Sequence, residues 1–276
     1  MQTVATIVLW AGTAATLGWA GLKARREASV LPVVLVVAVA VGSILEPIYD
    51  ITFHLLWYTG GFINGDITGH QWTLFTAFGL PQPVWVMPAY VMVFGVPALI
   101  MYDRLATNPS ATTIAKMAGT LFLTTAAFET IAINVSLYGY YGEAPLRLMR
   151  YPLWIAVMES AQITGFAILC AVLKRRKTSE LHCLALFALF PANFAFDVLG
   201  AGFPALIAMN VAHPSRPVMW LSAFASMALA ATALWWTAQL LLRESSLSPV
   251  AIPQSNFTVR PGVDRQPSAA RSPETA

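Results

Sequence analysis

Apolar runs about twenty residues long, separated by short polar breaks, recur along almost the whole chain. No other feature restricts its possible folds so strongly. Each run matches the ~20 residues a helix needs to cross a hydrocarbon core about 30 Å thick. Seven such runs are read, at 3–22, 30–57, 83–102, 114–137, 152–173, 181–208 and 217–242. The composition agrees: 57% of the 276 residues are hydrophobic and 11% are charged, against about 25% charged in soluble domains. The expected fold is all-α, a polytopic membrane bundle of seven transmembrane helices. A membrane barrel is excluded, because its strands would alternate polar and apolar residues with period two. The first run is expected to be a retained helix rather than a signal peptide. It lacks a basic leading segment, and Lys23, Arg25 and Arg26 follow the apolar stretch.

Basic residues set the expected orientation. With the N-terminus outside, the inner side receives Lys23, Arg25, Arg26, Arg104, Lys116, Lys174, Arg175, Arg176, Lys177 and Arg243, and the outer side only Arg147, Arg150 and Arg216. Residues 1–244 are therefore read as the membrane domain. Residues 245–276, rich in Ser, Pro, Ala and Gln, are read as a disordered cytoplasmic tail. There the sequon at Asn256 would stay unmodified. The segment 59–82 contains Gly60, Gly61, Gly65 and Gly69, no Lys or Arg, and Trp72, Phe75 and Phe78. It suits either a lid over a site or an amphipathic segment in the interface. The net charge of +3 sits in loops, so nucleic acid is not an expected partner. Cys170 and Cys183 show no disulfide or metal-knuckle spacing. Plasma membrane and endoplasmic reticulum are equally compatible with this composition.

The acids are the informative feature. Glu46, Asp50, Glu129, Glu159 and Asp197 fall inside apolar runs. Lys116 is the one base near them, more than three turns from Glu129. Each intramembrane acid costs roughly 2.5–3.5 kcal/mol on insertion scales. Five without basic partners must therefore face a polar cavity, share protons or stay neutral. At 1.5 Å per residue, all five lie roughly 10–17 Å below the outer boundary, so four helices deliver them to one layer. Glu46, Asp50 and His54 are spaced i, i+4, i+8 on one helix face, and Pro47 is expected to break that helix. His54 fits an interfacial residue as well as a proton relay. Pro191, Asn193 and Asp197 repeat the theme, while Glu129 is followed by Asn134 and Glu159 by Gln162. Asn193 and Gln162 also fit plain helix-packing roles. Trp57, Tyr58, Trp85, Tyr138, Tyr140 and Trp154 flank the acid layer.

Several chemistries find no support in the motifs. The last span has no lysine for a retinal Schiff base, no aspartate run suits magnesium diphosphate, and the four histidines are scattered. Patterns for serine hydrolases, zinc peptidases and nucleotide binding are missing. The expectation is a site with neither metal nor cofactor, in contact with lipid and a hydrophobic small molecule. Buried carboxylic acids can donate a proton to an olefin, epoxide or hydroxyl, and a neighbouring acid can hold or take back that proton. Aromatic faces stabilise a carbocation without capturing it, and dryness protects it from water.

The stretch Glu129, Asn134, Leu137-Tyr138-Gly139-Tyr140-Tyr141-Gly142 and Pro152-Leu153-Trp154, with Glu46-Pro47 and Ala192-Asn193, resembles the AveC-like spirocyclase family of membrane proteins over roughly residues 40–210. Asp50 departs from that pattern, where an amide is expected. In size and helix layout the chain also looks like the small membrane-bound terpene cyclases of meroterpenoid pathways. Both resemblances imply cyclisation of a hydrophobic natural-product intermediate. The expected catalytic residues are Glu46 as proton donor, Asp50 as its partner, and Glu129 or Asp197 as second acid or terminal base. Glu159, Asn134, Asn193, Trp57, Tyr138 and Trp154 are expected to bind substrate. A spiroketal-forming cyclase and a proton-coupled transporter are the alternatives.

Overall fold

The computed structural model describes residues 2–57 and 72–247, with side chains to Arg243. Of the expected disordered tail 245–276, residues 245–247 instead continue the last helix; the rest of it with its sequon, and residues 58–71 with Tyr58 and His70, lie outside the described residues. Six helical stretches are long and apolar enough to cross a membrane: Gln2–Glu27, Leu31–Phe53, Val86–Thr107, Leu153–Arg176, Glu180–Ala201 and Arg216–Arg243. These make the chain a multi-pass helical membrane protein. In the place of the expected fourth span lies helix α6 (Ala111–Asn134). Its threonines, Lys116 and Glu129 keep its hydropathy below that of the six.

Three of the spans are more segmented than seven plain helices would be. After α1 (Gln2–Glu27), the second span consists of α2 (Leu31–Gly42), a 3-10 turn at Ser43–Leu45, and α3 (Glu46–Phe53) with Pro47 in its first turn. The break falls where a proline ring and missing N–H cannot continue the preceding helix. His54 ends α3 in the left-handed region (φ 59°), so Trp57 belongs to a strand rather than to the expected helix. The third span is α4 (Val86–Tyr90), a π-helical stretch at Val91–Gly95 and α5 (Val96–Thr107). The sixth runs from a 3-10 segment at Glu180–Ala185 through α8 (Leu186–Ala195) into a second π-helical stretch at Phe196–Ala201. Then follow α9 (Phe203–Asn210) and α10 (Arg216–Leu247).

Strands add to the expected all-α fold at the Gln2 end. Leu55–Trp57 (β1) pairs antiparallel with Tyr138–Tyr140 (β4), with Trp57 opposite Tyr138 and Leu55 opposite Tyr140. Thr73–Ala77 (β2) and Leu80–Pro83 (β3) form a hairpin whose Phe78 and Gly79 both have positive φ, as a two-residue type I′ turn requires. Arg147–Leu148 (β5) pairs with Tyr151–Pro152 (β6). Buried loops cannot leave backbone N–H and C=O groups unpaired, which accounts for these ribbons. Arg147 also donates to the carbonyls of Tyr140, Tyr141 and Gly142 at 3.2, 3.4 and 2.8 Å. Burial lowers its pKa from the usual arginine value, yet a guanidinium stays charged at physiological pH.

Helix α7 (Leu153–Arg176) is the axis of the bundle: 83% of its apolar window is buried, against 17% for α1. Helix α8 reaches α2 at Gly42, where a Cβ would stand 2.2 Å from Cδ1 of Phe190. At the other end, Lys23, Glu27, Asp103 and Lys174 close a ring of ion pairs of 2.7–3.0 Å joining α1, α5 and α7. Both ammonium groups lie 5.3 Å from the centre of the Tyr102 ring. Lys174→Met leaves one base facing two acids. We expect a loss of about 1–2 kcal/mol, discounted because Asp103 is 40% exposed. Thermal unfolding in detergent would show the lower Tm, and Asp103→Asn in the same chain would restore part of it.

Candidate functional site

Five buried acids enter the bundle, and the fold gathers four of them at the end near Gln2. Glu46, at the first position of α3, Glu129 of α6 and Glu159 of α7 line one cavity. Asp50, one turn after Glu46 and fully buried, stands behind that wall.

Each acid is held by neutral donors. Tyr90 of α4 donates to Glu46. Tyr138 donates to Glu129 at 2.6 Å, and Tyr140 reaches its other oxygen at 3.5 Å. Tyr49 donates to Glu159 at 3.0 Å and Tyr151 to its second oxygen at 3.4 Å. Oδ2 of Asp50 accepts from Trp57 Nε1 at 2.8 Å and from Gln82 Nε2 at 2.6 Å. Oδ1 has no hydrogen-bond donor among the described residues, and Glu46 stands one helical turn before Asp50 on α3. Neutral donors stabilise a carboxyl in either protonation state without fixing a charge beside it, as a lysine would.

The ribbon of β1 and β4 explains how these groups meet. By pairing Trp57 with Tyr138 it brings two aromatic walls together, their rings 5.1 Å apart and edge-on. Trp85 completes this corner at 5.0 Å from Trp57. The hairpin of β2 and β3 delivers Gln82 to Asp50, so the segment read as lid or interface contributes a site residue. Leu55, Val86, Ala89, Val93 and Phe94 complete much of the apolar lining, and no lysine or arginine lines the cavity among the described residues. Phe128 of α6 belongs to the lining and is also 37% exposed on the bundle surface. The space between these residues is about 530 Å³, counting the part that opens to the outside.

The other expected residues lie elsewhere. Asp197 is buried in the first turn of the second π-helical stretch, one oxygen without a donor among the described residues, and does not line the cavity. Asn134 is exposed and donates to the Thr130 carbonyl of its own helix. Asn193 donates across to the Gln162 carbonyl at 2.9 Å, joining α8 to α7. Trp154 is fully buried against Phe53, 5.5 Å between ring centres, outside the chamber lining. None of these four is placed to touch a molecule in the chamber. Trp57, Tyr138 and Glu159 are. The sequence reading missed Tyr49, Tyr90, Tyr151 and Gln82. Tyr49, three residues after Glu46 and so on nearly the same helix face, carried the one local signal. Among the described residues, no three His, Cys, Asp or Glu side chains are grouped as metal ligands.

A multi-pass helical membrane protein with a carboxyl–phenol chamber near one end is the class that this fold and site define. No family model, curated protein or solved structure matches the chain.

Proposed function

We propose that the chain is an integral-membrane cyclase of natural-product biosynthesis, of isomerase or lyase type. It protonates a hydrophobic prenylated intermediate and closes a ring on it. The observation that carries this reading is an apolar, aromatic chamber lined by three carboxyls that hydrogen-bond to phenols, with no basic side chain among its described lining residues. In this reading α6 is the fourth of seven spans, and the Gln2 end faces outward, as the distribution of lysine and arginine favours.

Glu46 is the proton donor. It lines the chamber with Tyr90 on one oxygen, and Asp50, one turn further along α3 and anchored by Trp57 and Gln82, is the neighbouring acid that holds the proton in position. Protonation of an olefin, epoxide or hydroxyl produces a cation. The faces of Trp57, Trp85 and Tyr138 stabilise it by their ring quadrupoles. Glu129 or Glu159 takes a proton back when the ring has closed. The dry wall keeps water from the cation. Helices α3, α6 and α7 carry the four acids, and the β1–β4 ribbon carries Trp57 and Tyr138, so these positions rest on regular structure.

The test is product analysis. Membranes containing the chain, supplied with candidate prenylated substrates, are expected to yield a cyclic isomer of unchanged mass. Loss of one water would favour ketal chemistry instead. Substrate recovered unchanged across the set, with the protein folded, would overturn the reading.

A further inference from the structure

Two of the acids are joined by a continuous chain of oxygens. From Oε2 of Glu129 it runs 3.5 Å to the Tyr140 hydroxyl, 3.0 Å to the Tyr49 hydroxyl and 3.0 Å to Oε1 of Glu159. All four side chains are buried. Three contacts need three protons, and a phenol has one. Tyr140 and Tyr49 supply two, so the third must sit on one of the two carboxyls. With that proton on Glu159, the donors run Glu159 to Tyr49 to Tyr140 to Glu129; with it on Glu129, they run the opposite way. The ends are also matched. Tyr138 donates to the remaining oxygen of Glu129, and Tyr151 to that of Glu159, so each carboxyl meets two phenols, and among the described residues neither end has a basic hydrogen-bond partner to favour its ionised form.

We propose that Glu129 and Glu159 share a single proton through Tyr140 and Tyr49, so that the two acids act as one exchangeable donor–acceptor unit. The transfer balances. The Glu159 O–H bond breaks as a Tyr49 O–H forms, the original Tyr49 proton passes to Tyr140, and the original Tyr140 proton passes to Glu129. One carboxylate becomes neutral and the other ionised, with both tyrosines unchanged. This deepens the proposed function and rests on it for its purpose: a proton collected from the cyclised cation at one end reappears at the other, on α6 or on α7. Tyr49 and Tyr140 are positioning residues in this scheme, acting through the acids.

Infrared spectroscopy of the purified chain in lipid discs, without substrate, tests the sharing through the C=O stretch of protonated carboxyls. In the wild-type chain, Glu129→Gln and Glu159→Gln are each expected to change the same band. In Tyr49→Phe the chain is cut and Glu159 keeps only Tyr151. The proton should then settle on Glu159, giving a narrower band at higher frequency that Glu159→Gln removes and Glu129→Gln leaves in place. Tyr140→Phe provides the same cut at the other phenol should Tyr49→Phe fold poorly; Glu129 then keeps only Tyr138, and the proton should settle there as a localised band that Glu129→Gln removes and Glu159→Gln leaves in place. A band unaltered by both phenylalanine substitutions, or separate bands for the two acids in the wild-type chain, would overturn the proposal. Failure to form any cyclic product would overturn the cyclase reading alone, because the infrared result needs no substrate.

Discussion

Glu46→Gln is expected to lower product formation by roughly 10²–10⁴-fold, the usual worth of a positioned general acid, while the protein still inserts and folds. Glutamine keeps the size of the side chain, and its carbonyl can still accept from Tyr90, so the packing of α3 against α4 is retained. What disappears is the transferable proton. Asp50 cannot replace it directly, because it stands behind the chamber wall with Trp57 and Gln82 on one oxygen. Product yield should be measured beside the detergent Tm of the same preparation. Undiminished product would remove Glu46 from its assigned role, and a large fall in Tm would show that the substitution had tested packing instead.

The second large effect is on packing. Gly42→Leu should destabilise the protein by about 3 kcal/mol, the upper part of the range for overpacked cores. A Cβ there would lie 2.2 and 2.4 Å from two carbons of the Phe190 ring. That ring has little freedom to retreat, since Tyr90, Phe94 and Phe166 pack around it at 5.0–6.2 Å between ring centres. The damage should reach the chamber, because Gly42 directly precedes the turn at Ser43–Leu45 that leads into Glu46. Phe190→Ala in the same chain makes room and is expected to recover part of the lost Tm. No recovery would mean that the close approach of α2 and α8 is not the cause.

Most of the helices could be read from the sequence, because burial in lipid demands unbroken apolar length and little else. The acids were legible for the same reason, as charges that insertion penalises. Depth could be counted along each helix, and it placed all five acids in one layer. Direction around the helix axis could not be counted for Asp197, because it opens a π-helical stretch in which the advance per residue departs from that of an α-helix. Asn134 and Asn193 looked like ligands by composition, yet their amides serve the carbonyls of Thr130 and Gln162. In the opposite sense, Tyr90 and Tyr151 were invisible. A tyrosine in an apolar run looks like an interfacial belt residue, and their acid partners belong to other segments: Tyr90 is 44 residues from Glu46, while Tyr151 lies in β6, outside the helix that carries Glu159. The strands escaped because β1 and β4 are three residues each and pair across some eighty positions.

That small ribbon has a consequence for molecules of different girth. Its backbone groups satisfy one another, and Arg147 ties down the carbonyls beyond its end, so the ceiling over the acids behaves as one stiff plate. Room for a bulkier guest therefore has to come from rings turning about their own bonds on the flank. Phe128, which lines the void and is also exposed on the bundle surface, is the aromatic lining residue with the most open space to turn into.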